Sequence, residues 1–207
     1  MARTLGFCAV ILAAGESTRM GRDKALLPWP MQSAGAGTFL SAAIQLFDPH
    51  VDIVLVVGGK NQENIAPVVY ANGASLTVNP HPEHGQFSSL QIGLREVLNR
   101  GRDAAMITLV DRPPVTPATI EQLSDAFDEA LSQGKWAVVP DYQGKHGHPI
   151  LAGREMIEAF LRAPLTSNAR DTEHAHQEKI SYVPVDDAAV AANVDTPEQY
   201  ADLHAPA

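Results

Sequence analysis

A chain of 207 residues with 45% hydrophobic and 19% charged residues is long enough for one α/β unit with a full core and short for two. Its formal net charge of -9 argues against non-specific nucleic-acid binding and confines any phosphate site to local cations or a metal. Cys8 is the one cysteine, so no internal disulfide forms, and no run reaches the roughly 20 apolar residues that span a bilayer. Residues 1–207 are therefore expected to form a single cytoplasmic domain with neither nucleic-acid nor membrane partners.

The elements are taken in chain order. Leu5 to Ala13 reads as a buried first strand around the apolar run Phe7–Leu12. A loop from Ala14 to about Lys24 comes next, and residues 25–37, with two prolines and two glycines, read as irregular. Thr38 is a suitable cap for a helix carrying Phe39, Ala42, Ala43, Leu46 and Phe47 at helical spacing until Pro49. Val51–Val57 is a second buried strand ending in Gly58-Gly59, Asn61–Ala71 a helix weakened by Pro67, and Ser75–Val78 a short third strand. The loop His81–Leu90 feeds a helix to about Arg100, and Ala104–Val110 is a continuous apolar strand with Asp111 at its carboxyl end. Beyond Pro113, Pro114 and Pro117 come a helix over 118–132, a strand over Trp136–Val139 and a polar turn over Asp141–His148. A helix over Arg154–Arg162, a strand over Lys179–Val185 and a short helix over Pro197–Leu203 complete the chain. Apolar strands alternating with helices imply a mainly parallel sheet covered on both faces, with ligands at the carboxyl ends of the strands.

Phosphate chemistry is written into the first loop. Gly15 and Gly21 permit a tight path after the strand, while Arg19, Arg22 and Lys24 line it with cations, of which Arg19 and Lys24 are placed on a triphosphate. The spacing is neither that of a P-loop nor that of a dinucleotide fold. Asp111 has two readings, a turn residue beside proline and a Mg2+ ligand; its place at the end of a buried strand, across from the phosphate loop, favours the ligand. Asp195-Thr196-Pro197-Glu198 is equally a good helix start. Ser17 lies in no nucleophile elbow, and the two His-x-His pairs, 146/148 and 174/176, lack a third zinc ligand.

The stretch Leu12-Ala13-Ala14-Gly15-Glu16-Ser17-Thr18-Arg19-Met20-Gly21-Arg22-Asp23-Lys24 resembles the Leu-Ala-Ala-Gly-x-Ser-x-Arg-Met-Gly-x-x-Lys signature of nucleotidyltransferases, and most of all the molybdenum cofactor cytidylyltransferases and their guanylyltransferase relatives. Further motifs agree: Asp111-x-Pro113, Gly85 to Leu90, Gly147-His148-Pro149 and Asp195-Thr196-Pro197-Glu198. The resemblance implies a three-layer, Rossmann-like nucleotidyltransferase (GT-A-like) fold with a mainly parallel sheet and one reversed strand. It implies catalytic roles for Arg19, Lys24 and Asp111, and a nucleotide site of Leu12, Ala13, Ala14, Gly15, Arg19, Lys24, Gly85, Ser88 and Ser89. Gly147, His148 and Arg170 fall on the acceptor side, and Mg2+ on Asp111 with Asp195 or Asn193. The chain departs from the family at Arg112, at Asn193, where Asp is usual, and at Asn168, where Gly is usual.

The activity implied by this resemblance is transfer of CMP from CTP to the phosphate of molybdopterin, with release of pyrophosphate and delivery of the product to a molybdoenzyme. Ala14 favours the cytidylyl branch, because the guanylyl branch generally has Gly there. GTP as donor, a sugar phosphate or other small phosphate as acceptor, and a nonenzymatic nucleotide- or cofactor-binding accessory protein remain as alternatives.

Overall fold

The first strand, β1 (Phe7–Leu12), is buried along its whole length and is the axis of the molecule. In the computed structural model, which describes residues 6–15, 20–29 and 37–202, β1 pairs in parallel with β2 (Ile53–Gly58) on one side and β4 (Ala104–Leu109) on the other. Beyond β2 lies β3 (Ser75–Val78), also parallel. Beyond β4 the direction reverses: β7 (Ile150–Gly153) is antiparallel to β4 and to β5 (Ala137–Tyr142). The two-residue β6 (Lys145–His146) is antiparallel to β5, and β8 (Ile180–Pro184) runs parallel to it. The sheet order is β3-β2-β1-β4-β7-β5-β6, with β8 on β5.

Because side chains alternate across a strand, each strand feeds two cores. Ala9, Ile11, Val54, Val56 and Met106 face helices α1 (Phe39–Phe47), α2 (Gln62–Ala71) and α4 (Pro117–Ser132). Val10, Leu12, Leu55, Val57 and Ile107 face α3 (Gln86–Asn99) and α5 (Arg154–Arg162). The result is the expected three-layer, Rossmann-like α/β architecture with a mostly parallel sheet. Gly93 lets α3 lie directly on β1 and β2: a Cβ there would stand 2.6 Å from Val10 Cγ1 and 2.9 Å from Val57 Cγ2.

Most element boundaries agree with the sequence reading within a residue or two. Thr38 and Thr116 cap α1 and α4 with side-chain hydrogen bonds, and α2 runs through Pro67. Three elements add to it, the first being the two-residue β6 inside the expected polar turn. The segment Ile150–Gly153 is the reversed strand β7, four residues running straight into α5 with no turn signal between them. A seven-residue helix, α6 (Ala169–Ala175), occupies a stretch without apolar periodicity and is started by the Asn168 side chain, which accepts from Asp171 N. A last helix, α7 (Pro197–Asp202), ends the described chain. Leu5, Arg19 and Leu203, which carry the expected start of β1, a triphosphate contact and the end of α7, lie outside the described residues. No helix of the described residues is long and apolar enough to cross a membrane.

Candidate active site

The chain builds β1, β2 and β3 outward on one side and then returns across them to lay β4 on the other side of β1, so the strand order switches between β1 and β4. Loops leaving the carboxyl ends of neighbouring strands at such a switch diverge and leave a crevice for a ligand. The loop after β1 and Asp111 after β4 meet there, in register from Phe7↔Ala104 to Leu12↔Leu109.

Lys24 is set by a short relay. Ala13 N donates to Val57 O at 2.8 Å, and Asn61 Nδ2 donates both to Ala13 O at 2.9 Å and to Asp23 Oδ2 at 2.7 Å. The other oxygen of Asp23 caps Ala25 N at 3.0 Å, starting the short 3-10 turn that opens at Lys24. From this turn the Lys24 ammonium reaches Asp195 Oδ1 at 2.8 Å and Asp111 Oδ2 at 3.4 Å. Its side chain is 12% exposed, against 27% for Asp111 and 26% for Asp195, so the three charges interact with limited screening by water.

Asp195 comes from a segment far along the chain, held here by contacts on both sides of it. Val194 N donates to Asp111 O at 2.9 Å, Val194 packs in a small core with Leu27 and Phe39, and the Tyr200 hydroxyl donates to Pro28 O at 2.6 Å. Thr196 and Gln199 form reciprocal bonds, Gln199 N to Thr196 Oγ1 at 3.3 Å and Thr196 N to Gln199 Oε1 at 3.2 Å, which make a capping box at the start of α7. The cap reading of Asp-Thr-Pro-Glu is thus realised by Thr196 and Gln199, which leaves the Asp195 carboxylate directed at Lys24. Asn193 turns its amide nitrogen toward Asp195 Oδ2 and so orients that carboxylate. Asp111 Oδ1 is buried and has no hydrogen-bond partner among the described residues. An orphaned carboxylate oxygen beside a second carboxylate is a donor set that fits Mg2+ or Mn2+, which take few protein carboxylates and fill their shells with water and phosphate oxygens. No group of three or more His, Cys, Asp or Glu that could hold a metal occurs among the described residues.

Two cavities open from this crevice. One, of about 590 Å³, is lined by Ala14, Gly15, Lys24, Asp111 and Asp195, with Gly85 and Ser89 at the far side. Gly85 has φ of +89°, which favours glycine, and ushers the chain into α3. Ala13 lies buried beneath the loop. Ser88 is also buried; its hydroxyl donates to Gly85 O at 2.7 Å and accepts from Asn79 Nδ2 at 2.9 Å, while Ser89 Oγ accepts from the same nitrogen at 2.9 Å. Asn79 is therefore the hidden staple of this wall. Lys60, following Gly58-Gly59 at the carboxyl end of β2, also lines the cavity. Neither Asn79 nor Lys60 stood out in the sequence, although each lies within two residues of the carboxyl end of a strand.

The second cavity, of about 550 Å³, shares Leu12, Gln86 and Leu109 with the first and runs toward α6, reaching Gly147, His148 and Arg170. Gly147 N donates to Pro140 O at 3.0 Å and His148 N to Val190 O at 2.9 Å, so closely that a Cβ on Gly147 would overlap the Val190 carbonyl. Burial, aided by the Arg112 guanidinium, pushes His148 down to about 3, so its ring is neutral at physiological pH. Arg112 donates to Ala192 O at 2.9 Å, so the family departure at this position ties down the segment that delivers Asp195. The His-x-His pairs do not converge on a metal: His146 stacks on Tyr182 at 4.1 Å and His176 packs on Trp136 at 5.0 Å. Burial pushes the Cys8 thiol up to about 12, as expected of a core residue.

A doubly covered, mostly parallel sheet with a switch-point crevice is the Rossmann-like class of α/β fold, the class to which nucleotidyltransferases belong. Residues 9–180 match the family model of the MobA-like NTP transferase domain, and the chain belongs to that family. It is 27% identical to the molybdenum cofactor cytidylyltransferase of Escherichia coli K12 over 198 residues, 92% of each chain. It is 32% identical to a probable molybdenum cofactor guanylyltransferase of Mycobacterium avium over 123 residues, covering 59% of this chain and 58% of that protein. Among solved structures, Rv0371c of Mycobacterium tuberculosis H37Rv superposes with a TM-score of 0.79 at 25% identity, over 96% of this chain and 97% of that one. Rv0371c has also been solved in complex with manganese, superposing with a TM-score of 0.75 at 24% identity over the same shares of the two chains.

Proposed function

We propose that the protein transfers CMP from CTP to the terminal phosphate of molybdopterin, releasing pyrophosphate, and that the product passes to a molybdoenzyme. The observation that carries this reading is the pair of cavities joined at Leu12, Gln86 and Leu109, beside the Lys24–Asp111–Asp195 cluster. Two substrates bound one in each would bring their phosphates together at the junction. An acceptor phosphate oxygen attacks the α-phosphorus, the bond to the α–β bridging oxygen breaks, and pyrophosphate leaves. With a second pKa of about 6 the acceptor phosphate is already ionised at neutral pH, so no general base is needed. The chain's contribution is alignment and fixed charge. Lys24, and by resemblance Arg19, bind the triphosphate and neutralise the leaving pyrophosphate. Asp111 and Asp195 would hold a divalent cation, Mg2+ in the cell, with Asn193 orienting Asp195. When bound, such an ion supplies charge neutralisation across the phosphates. Gly85 and Ser89 bound the base, Ser88 and Ala13 support that wall from beneath, and Gly147, His148 and Arg170 bound the acceptor.

CTP is preferred on Ala14 and on the cytidylyltransferase relative that spans 92% of the chain. The test is pyrophosphate release with molybdenum cofactor as acceptor and CTP, GTP, ATP or UTP as donor in Mg2+. CTP should exceed the others, chelation should abolish turnover, and Asp111→Asn or Lys24→Ala should lower kcat/KM by about 100-fold or more in folded protein. A preference for GTP would overturn the base assignment and keep the chemistry. Turnover close to wild type in both variants would sink the assigned roles.

A further inference from the structure

The acceptor cavity carries one group that the phosphate chemistry does not use. Glu173, on α6, lines this cavity and not the nucleotide cavity. Its carboxylate makes no hydrogen bond or ion pair among the described residues, whereas the other acids nearby are engaged. Asp141 accepts from Gly144 N at 2.9 Å and lies 3.4 Å from His146 Nε2, and Asp171 takes Asn168 Nδ2 at 2.7 Å. Glu173 is half-buried, and burial raises its carboxyl from 4.5 to about 7, with Arg170 countering only in part. A partly desolvated carboxylate without protein donors is costly, and a ligand that brings two N–H groups would relieve that cost.

The rest of the cavity describes the ligand's body. Phe87, Phe160, Ile107 and Ile150 make apolar walls, and Tyr182, itself stacked on His146, closes one side beside Glu173. At the other end the cavity meets the phosphate crevice, with Arg112 next to Asp111. A guest with a phosphate at one end, a flat apolar middle and a paired N–H edge at the other fits this sequence of surfaces. The geometry points to Glu173 as the specificity-determining residue of the acceptor cavity, its carboxylate accepting the ring N–H and exocyclic amine of a 2-amino-4-oxopyrimidine edge, as presented by a pterin. This assignment rests on reading the cavity as the acceptor site. A sugar phosphate lacks a planar donor pair and would meet the carboxylate only through rotatable hydroxyls, without the fixed two-bond geometry of a pterin edge.

Guanine carries the same edge, so the probes must separate the two. Fluorescence and dialysis titrations of the full chain with 6-hydroxymethylpterin, 6-hydroxymethyllumazine and guanosine read binding without turnover. Lumazine replaces the 2-amino donor by a carbonyl. Wild type should bind the pterin more tightly than either of the others. Glu173→Gln, nearly isosteric, should lose pterin affinity on the order of 10- to 100-fold and bind lumazine unchanged. In turnover, the variant should raise the acceptor KM and leave the nucleotide KM and kcat alone. Equal binding of pterin and lumazine, preference for guanosine, no measurable pterin binding, or no effect of Glu173→Gln would each overturn the assignment. Transfer to molybdopterin with indifferent Glu173 would discard this inference and keep the proposed reaction. A Glu173-dependent pterin preference without transfer would do the reverse.

Discussion

Glu173 and His148 face one cavity and are displaced from their ordinary titration in opposite senses. Glu173 holds a proton in the native state that the unfolded chain releases, its carboxyl moving from 4.5 to about 7. Its contribution is therefore fully present below 4.5 and lost as pH rises through 7. His148 refuses a proton that the unfolded chain takes up, moving from 6.5 to about 3, so its contribution is present above 6.5 and lost as pH falls toward 3. The groups facing them are Arg170 and His174 on α6, Tyr182 on β8, His146 on β6, and Arg112. Thermal unfolding should show Glu173→Gln more stable than wild type at pH 8, with the gain gone by pH 4.5. His148→Gln should gain on wild type at pH 5 and match its pH trend above 7. A Glu173→Gln gain independent of pH would show that packing, and not the displaced proton, is responsible. Keeping a costly carboxyl at a binding wall is the usual exchange of stability for function.

At the scale of elements, the two cavities are walled by loops that depend on single small contacts. Asn79, 2% exposed at the end of β3, donates to both serine hydroxyls of the α3 start and accepts from His81 N at 2.9 Å. Asn79→Ala leaves buried hydroxyls without their donor and should destabilise by about 1–3 kcal/mol. It should raise the nucleotide KM and leave the acceptor KM in place. Gly147→Ala is the mirror case: its Cβ meets the Val190 carbonyl, so the wall between β6 and β7 must shift. Overpacking of this kind costs about 1–3 kcal/mol, and here the acceptor KM should rise while nucleotide affinity holds. Initial-rate measurements with each substrate varied in turn separate the two variants, and identical kinetic defects would deny that the walls are independent. Asn79 could have been found in the sequence as a polar residue closing a strand at the ligand-bearing end. The acceptor wall is harder to read, because the contact partners Gly147 and Val190 are distant along the chain and α6 has no periodic apolar face.

For the molecule as a whole, the site is assembled from three distant stretches. The loop after β1, Asp111 after β4 and Asp195 before α7 come together because the strand order switches between β1 and β4 and the last segment folds back across that gap. Asp195 lies beyond residue 180, where the family match ends, and the Val194, Arg112 and Tyr200 contacts return it to the crevice. Since the two cavities share Leu12, Gln86 and Leu109, a product joining nucleotide and acceptor should occupy both at once. Product inhibition should therefore be competitive against the nucleotide and against the acceptor. A pattern noncompetitive toward one of them would mean that the cavities do not work as one site. With a net charge of -9, Lys24 and Lys60 are local cations in the wall of a cavity on an otherwise acidic molecule.

Local chemistry is legible in the chain itself. Buried apolar runs, caps at Thr38 and Thr116, and glycines after β1 and β2 specify strands, helices and the turns that leave them through contacts between near neighbours. For the same reason Lys24 and Asp111 stand out, each lying where a strand or its loop ends. Only the tertiary structure decided which distant groups share an environment. It gave Asn193 to Asp195 as an orienting donor, turned Ser88 inward onto Asn79, set Arg112 to anchor the closing segment, and left the Glu173 carboxylate without a hydrogen bond among the described residues, in a cavity of mixed apolar and polar walls. Hydrogen-bond pairing, desolvation and charge coupling depend on through-space distance, which chain order leaves open until the sheet brings its strand ends together.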